Sequence, residues 1–155
     1  MEPFDYVVQV DASDTIFSKT PWAWLALHSS SDLWVNVQQS TKWTAQNYAL
    51  CYPPHQVPPD LPIGGGRARV YNAGVVAGRR DAFIALAQAM TDELAKLYEE
   101  RGGVAWNCDM ATLQAVLTRP SFAAEHRIWH DGPPFCSGSI KCWQHGECDT
   151  LIYHK

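Results

Sequence analysis

The chain has 155 residues, which is the length of one domain with room for a hydrophobic core. Hydrophobic residues make up 46% and charged residues 18% of it, values close to globular averages, which argues against a disordered chain. A formal net charge of -4 without a cluster of lysines and arginines argues against nucleic acid as the main partner. The sequence has neither the roughly 18 consecutive apolar residues of a membrane span nor a signal-peptide pattern, so it predicts no membrane contact.

The first predicted element is a strand from Tyr6 to Val10, which ends at Asp11-Ala12-Ser13-Asp14. Valine-rich runs with little polar alternation are typical of strands buried on both faces in a parallel sheet. Carboxylates at the end of such a strand lie at the sheet edge where open α/β sheets bind ligands. Asp11 and Asp14 are therefore candidates for holding a cation against an anionic substrate. Capping of the turn after the strand explains these two residues equally well.

A short helix and a second strand follow. Thr20 suits the N-cap of a helix and Pro21 its first position. The run from Leu33 to Gln38 alternates apolar and polar residues, which predicts a strand with one wetter face. Together with the first strand, these elements predict a βαβ-like unit.

The stretch from Tyr52 to Gly66 contains five prolines and ends in three consecutive glycines. Such a composition predicts a long surface loop. Three glycines in a row are also found in phosphate-binding loops. However, no Lys-Ser or Lys-Thr pair follows, and the next segment has the pattern of a strand, which favours the plain loop.

A strand and two helices are predicted next. The strand runs from Arg67 to Val76, Asp81 begins a long helix that ends at Gly102-Gly103, and Asp109 begins a second helix that stops at Pro120. Apolar residues at spacings of three and four predict a core-facing stripe on each helix, formed by Phe83, Ala87, Met90, Leu94 and Leu97 in the first and by Met110, Leu113, Val116 and Leu117 in the second. We find no internal repeat and no linker, so we expect residues 1–155 to form a single domain.

The C-terminal region contains Cys136, Cys142 and Cys148, which recur every six residues with His145 between the last two. Structural zinc sites usually pair ligands two to four residues apart, so this spacing fits zinc poorly. One or two disulfides, free buried thiols and zinc all remain open alternatives.

Three segments in this order resemble glycosyltransferases of the nucleotide-diphospho-sugar transferase type, whose architecture is called GT-A. The first is Asp11-Ala12-Ser13-Asp14, followed by Phe17 and Pro21, which is similar to an Asp-x-Asp or Asp-x-x-Asp motif at the end of a strand. The second is Asn72 to Gly78, and the third is Asp109-Met110 at the start of a helix. The resemblance implies an α/β fold with a GT-A-like mixed sheet flanked by helices. It also implies metal-dependent transfer of a sugar from a nucleotide-sugar donor to a glycan, protein or small-molecule acceptor.

The resemblance also implies roles for individual residues. The expected metal ligands are Asp11, Asp14 and His154, and the expected ion is manganese or magnesium. The expected substrate contacts are Asp11, Asn72, Ala73, Gly74 and Gly78, and the expected catalytic residue is Asp109. Structural roles explain several of these residues as well. His154 is then a surface or capping histidine, and Asp109 is an ordinary N-cap. The small residues Ala73, Gly74 and Gly78 then serve tight strand packing.

Only ten residues precede Asp11, so the nucleotide-binding half that such enzymes place ahead of this motif has no room. We therefore expect the chain to be the C-terminal portion or a truncated relative of such an enzyme. A catalytically inactive remnant that binds a glycan or a partner is the alternative. A hydrolase is disfavoured because neither a Gly-x-Ser-x-Gly nor a His-Glu-x-x-His signature is present. By family resemblance, the Golgi or another secretory lumen is the expected location.

Overall fold

The computed structural model describes residues 5–38, 48–53, 70–103, 108–130, 135–137 and 152–154. The strands are β1 (Tyr6–Val10), β2 (Thr15–Phe17), β3 (Leu33–Gln38), β4 (Val70–Arg79), β5 (Ile128–Trp129), β6 (Phe135–Ser137) and β7 (Ile152–His154). The helices are α1 (Trp22–Leu27), α2 (Arg80–Glu100), α3 (Asp109–Leu117) and α4 (Pro120–Glu125), and residues 48–51 form a further helical turn. None of the helices in the described ranges is long and apolar enough to cross a lipid bilayer.

The described strands form two sheets. The larger is a four-stranded mixed sheet in the order β1-β4-β3-β5, in which β4 is antiparallel to both neighbours and β3 is parallel to β5. The smaller has the order β2-β7-β6, with β7 antiparallel to β2 and parallel to β6. The predicted α/β fold with a mixed sheet flanked by helices is therefore found.

The predicted setting of β1 as a central strand of a parallel sheet is wrong. Among the described strands β1 pairs with β4 alone, antiparallel, and its residues are mostly half-buried. The predicted βαβ-like unit is found in a split form: β1 and β3 run in the same direction within one sheet, and β4 lies between them. An apolar run reveals burial but not the direction of the neighbouring strand, which explains the error for β1.

The larger sheet divides the core into two layers. On the helix-covered face, the side chains of α2, α3 and α4 pack against Leu33, Val35, Tyr71, Ala73 and Val76. On the small-sheet face, Leu25 of α1 and Ile152 of β7 pack against Trp34, Val75 and Ala77. The indole ring of Trp24 meets those of Trp34 and Trp129 edge to face on this side. Because both faces are covered, residues 33–36 of β3 are all buried, and the predicted wetter face of this strand is wrong.

Helix boundaries lie close to the predicted ones, but the caps differ. Pro21 is the cap of α1 rather than its first residue, Arg79 caps α2, and Cys108 caps α3, all without a side-chain cap hydrogen bond. Asp81 and Asp109 instead lie in the first turns, where a carboxylate interacts favourably with the helix dipole. Gly102 and Gly103 have φ angles of 65° and 95°, which confirms the predicted end of α2.

The predicted core stripes are confirmed with one exception. The four apolar residues of α3 are at most 6% exposed, and most of the α2 stripe packs against the core. Ala87 is exposed, whereas Ala82 and Leu86 are buried. The core side of α2 is therefore rotated by about one residue from the predicted stripe in its first half.

Residues 48–53, which we call the clamp, are tied to the helix layer. A disulfide joins Cys51 of the clamp to Cys108 before α3. The Tyr52 hydroxyl donates a hydrogen bond of 3.0 Å to Glu93 Oε1 on α2, and the Tyr48 and Tyr52 rings stack with centroids 4.6 Å apart. The sequence analysis did not predict this disulfide. Of the cysteines it considered, Cys136 lies in β6, and Cys142 and Cys148 lie outside the described residues.

Candidate functional site

A large β-bulge lies where β1 and β3 end and β4 begins. Val35 of β3 pairs with Val76 of β4, but the next residue, Asn36, pairs with Asn72. Residues 73–75 of β4 therefore have no opposite residues on β3. Bulges of this kind redirect side chains and are common next to active sites. We use the name bulge site for four residues at this irregularity, Asp11, Asn36, Asn72 and Gly74, together with Asp14 in the turn that follows β1.

The bulge is held by two hydrogen bonds. The Asn72 side chain accepts, through Oδ1, a bond of 2.6 Å from the Gly74 backbone N–H, which is a local Asx-type turn. On the other side of β4, the Asp11 backbone N–H donates a bond of 2.9 Å to the Gly74 carbonyl oxygen. Three residues that the sequence analysis assigned to substrate binding, Asp11, Asn72 and Gly74, therefore meet at this point.

The acidic turn after β1 leads into the small sheet. Asp11 is exposed, whereas Asp14 is half-buried with its Oδ1 atom shielded from solvent. Thr15, which follows Asp14, pairs across the antiparallel ladder with His154 of β7. Residues opposite each other in such a ladder have Cα atoms about 5 Å apart. The backbone therefore brings Asp14 and His154 close together, and the His154 side chain lies outside the described set.

Two carboxylates in one turn suit a hard divalent ion. Among the described side chains, no group of three or more His, Cys, Asp and Glu residues surrounds a common point. Magnesium-like ions, however, are usually bound through one or two carboxylates together with the phosphates of the substrate. The metal role predicted for Asp11 and Asp14 stays a prediction.

Asn36 is the bulge-site residue that the sequence analysis missed. Its side chain is only 4% exposed, although asparagine is depleted in strands and rarely fully buried. An asparagine inside the apolar run Trp34-Val35-Asn36-Val37 was the available signal. The alternating pattern instead suggested that it faced water, because β7, which packs on this face of the larger sheet, comes much later in the chain.

Two other predicted substrate residues lie away from this cluster. Ala73 packs in the core of the helix-covered face and is 7% exposed. Gly78 pairs with Val7 and Leu33, four residues along β4 from Gly74, which is about 13 Å in a strand. A Cβ atom at Gly78 would lie 2.6 Å from Leu33 Cδ2, so tight packing explains this glycine.

Asp109, the predicted catalytic residue, is the first residue of α3. It is exposed and follows Cys108, which is buried in the disulfide beside the clamp. The helix α3 and the small sheet lie on opposite faces of the larger sheet. The catalytic role of Asp109 stays a prediction.

The opposite end of the four-stranded sheet has a different polar environment. A hydrogen bond from the Arg127 side chain holds the pKa of Asp32 below its usual value, and it ties the start of β3 to the start of β5. A cavity of about 460 Å³ at this end is lined by Asp5, Tyr6, Ser29, Arg79, Arg80 and Asp81. Its two arginines are balanced by two aspartates, and Arg80 forms an ion pair of 3.0 Å with Asp81. The charges of this end are therefore largely compensated within the chain.

No protein-family model matches the chain. No curated protein sequence matches it. Its fold is similar to the crystal structure of mouse xyloside xylosyltransferase 1 in the apo form, with a TM-score of 0.56 and 10% sequence identity. The superposition covers 98% of this chain and 58% of that chain, so this chain spans less than two thirds of that structure. The likeness shows a glycosyltransferase-like fold, which the sequence motifs had suggested.

Proposed function

We propose that this chain forms part of a metal-dependent glycosyltransferase that takes its sugar from a nucleotide-sugar donor and passes it to an acceptor. The observation that carries the proposal is the glycosyltransferase-like fold, which extends over 98% of the chain. The bulge site supports it. Residues of two separate motifs, Asp11 and Asn72, are neighbours across one end of the sheet.

The chemistry of sugar transfer explains why these residue types are wanted together. When the bond between the sugar and the diphosphate breaks, negative charge grows on the leaving diphosphate, and a bound manganese or magnesium ion neutralises it. Asp11 and Asp14, with His154 as a third ligand, would hold that ion beside the end of β1. Gly74 has no side chain, so a sugar can approach the backbone at the bulge closely. Asp109 accepts a hydrogen bond from a substrate hydroxyl in this proposal.

A secretory location is part of the proposal. The disulfide between Cys51 and Cys108 is buried, with both cysteines at most 2% exposed. Disulfides persist in oxidising compartments and are rare in the cytosol. This supports a chain that folds in a secretory lumen such as the Golgi.

Thermal unfolding with added metal ions tests the metal site. Binding to the native state alone stabilises it by RT ln(1 + [L]/Kd), which is about 1.4 kcal/mol at tenfold excess over Kd. We expect manganese together with a nucleoside diphosphate to raise the melting temperature more than zinc does. The double variant Asp11→Asn/Asp14→Asn should lose this increase.

The matched control is Glu99→Gln/Glu125→Gln, which removes two exposed carboxylates elsewhere on the surface and should keep the increase. An unchanged increase in the Asp11→Asn/Asp14→Asn variant would contradict the metal assignment. Sugar release and transfer from nucleotide-sugars should then be followed by chromatography. Metal-dependent binding without turnover would favour the alternative, an inactive remnant that binds a glycan or a partner.

A further inference from the structure

The side-chain Nδ2 donor of Asn36 is buried and has no hydrogen-bond partner among the described residues. Asn36 lies directly opposite Asn72 at the bulge, and its side chain is 4% exposed. Its Nδ2 atom is buried and makes no hydrogen bond in the described part of the chain. Buried polar groups in folded proteins are nearly always bonded, because an unsatisfied donor is costly. A specific reason for this exception is therefore required.

The alternation of β3 shows which way the amide faces. Leu33, Val35 and Val37 pack in the core of the helix-covered face, whereas Trp34 packs on the small-sheet face. Because successive side chains of a strand point to opposite faces, Asn36 lies on the small-sheet face with Trp34. On this face Ile152 of β7 packs against Trp34, and β7 also contains His154.

A second orphaned donor lies on the same face. The indole Nε1 atom of Trp34 is buried and also has no partner within the described ranges. Two residues along a strand are about 7 Å apart, which is within the span of one sugar ring with its hydroxyl groups. Both groups donate hydrogen bonds, so a complementary ligand must offer acceptor oxygens.

We propose that Asn36 is a sugar-binding residue, whose Nδ2 group donates a hydrogen bond to a hydroxyl oxygen of the donor sugar. The inference rests on the proposed function and extends it to a residue outside the motifs that suggested it. A diphosphate is anionic and is paired with the ion at Asp11 and Asp14. A neutral amide on the small-sheet face instead matches the neutral hydroxyl groups of the sugar. Asn36 then contributes to sugar affinity but not to diphosphate affinity.

Titration calorimetry on the 155-residue chain with magnesium separates these two contributions. The probes are UDP and GDP on one side and UDP-glucose, UDP-xylose and GDP-mannose on the other. In Asn36→Leu, which keeps the size of the side chain and removes the donor, the nucleotide-sugar that binds best should bind about three- to tenfold more weakly. The matching nucleoside diphosphate should keep its Kd within about twofold.

The matched control is Gln9→Leu, an amide-to-leucine change at an exposed position of β1, which should alter neither Kd. If Asn36→Leu fails to fold, Asn36→Val provides the same loss of the donor with a residue that favours strands. An unchanged nucleotide-sugar Kd, or an equal loss for the diphosphate alone, would overturn the inference. Failure of the unmodified chain to bind any probe would overturn the proposed function itself and the inference with it.

Discussion

The two faces of the four-stranded sheet use their buried polar groups differently. On the helix-covered face, Gln114 Oε1 accepts a hydrogen bond of 3.0 Å from the Tyr71 backbone N–H, which ties α3 to β4. Nearby, Glu93 accepts a bond from the Tyr52 hydroxyl and forms an ion pair of 2.9 Å with Arg119. These contacts join α3 to the sheet, and they join α2 to both the clamp and the residue that precedes α4.

The small-sheet face contains buried donors without partners in the described ranges, Trp34 Nε1 and Asn36 Nδ2. Among the described residues of the helix-covered face, the comparable group is the Thr112 hydroxyl, which makes no bond of good geometry but lies beside the Tyr52 hydroxyl. A donor that stays unsatisfied in the free protein raises its free energy, and a ligand that accepts the bond recovers that cost. We therefore expect the polar groups of the helix-covered face to contribute to stability and those of the small-sheet face to contribute to ligand binding.

Among the variants that test this comparison, removal of the disulfide should cause the largest decrease in the free energy of unfolding. The bond closes a loop over a sequence separation of 57 residues. In the chain-entropy estimate, its removal lowers the free energy of unfolding by about 4 kcal/mol. Urea denaturation of Cys51→Ser/Cys108→Ser should show this decrease.

Each single variant should lose about as much as the double variant, since either change opens the same bond. A decrease below about 1 kcal/mol would mean that the clamp is held mainly by its tyrosines and not by the disulfide.

Gly78→Ala should have the next largest effect. The added Cβ atom would lie 2.6 Å from Leu33 Cδ2 and 3.2 Å from Phe83 Cβ, both on the helix-covered side of the sheet. Overpacking of this kind costs about 2 kcal/mol. Differential scanning calorimetry should show a lower melting temperature for Gly78→Ala. In the Leu33→Ala background the same Gly78→Ala change should cost less than in the unmodified chain, and an equal cost in both backgrounds would indicate that contact with Leu33 is not the cause.

Tyrosine ionisation should make the helix-covered layer sensitive to high pH. Burial, with a smaller contribution from the Glu93 carboxylate, raises the pKa of Tyr48 from 10.0 to about 12. The unfolded chain therefore loses this proton at a lower pH than the folded chain, and the stability falls as the pH rises from 10 toward 12. The expected slope from one such group is at most about 1.4 kcal/mol per pH unit.

Denaturant titrations at several pH values measure this slope. In Tyr48→Phe it should be shallower, because the group that titrates differently in the two states is gone. The pKa of Tyr52 is also raised, so Tyr48→Phe/Tyr52→Phe should be flatter still. An identical slope in the Tyr48→Phe variant would show that other groups cause the alkaline loss.

Local sequence signals predicted the elements but not their partners. The apolar spacing in α3 indicated its buried residues, and Gly102-Gly103 indicated the end of α2, because both signals depend on neighbouring residues alone. The disulfide between Cys51 and Cys108 joins distant residues, and pairing among five cysteines cannot be deduced from spacing. The burial of Asn36 depends on strands near the C-terminus for the same reason. The cluster of Asp11, Asn72 and Gly74 was anticipated only through family resemblance.

We expect the smallest change in stability for Asn36→Leu, which is best compared with Gln114→Leu because each variant removes one buried amide, one on each face of the sheet. Gln114 and Asn36 are 5% and 4% exposed, so burying a leucine at either position should contribute almost equally to the free energy of unfolding. Replacing Gln114 by leucine leaves the Tyr71 backbone N–H without its acceptor, which costs about 2 kcal/mol. Replacing Asn36 by leucine removes a donor that is unsatisfied in the described structure, so the free energy of unfolding should change by less than about 1 kcal/mol.

Urea denaturation of Gln114→Leu and Asn36→Leu under the same conditions measures both changes. Equal losses would mean that the Asn36 amide stabilises the fold as the Gln114 amide does, and the contrast between the two faces would fail. A small or favourable change at Asn36, together with a clear loss at Gln114, would show that the Asn36 amide is not kept for stability. A polar group that lowers stability when nothing is bound is expected where a ligand supplies the missing bond, since substrate binding in enzymes often depends on groups that are costly in the free state.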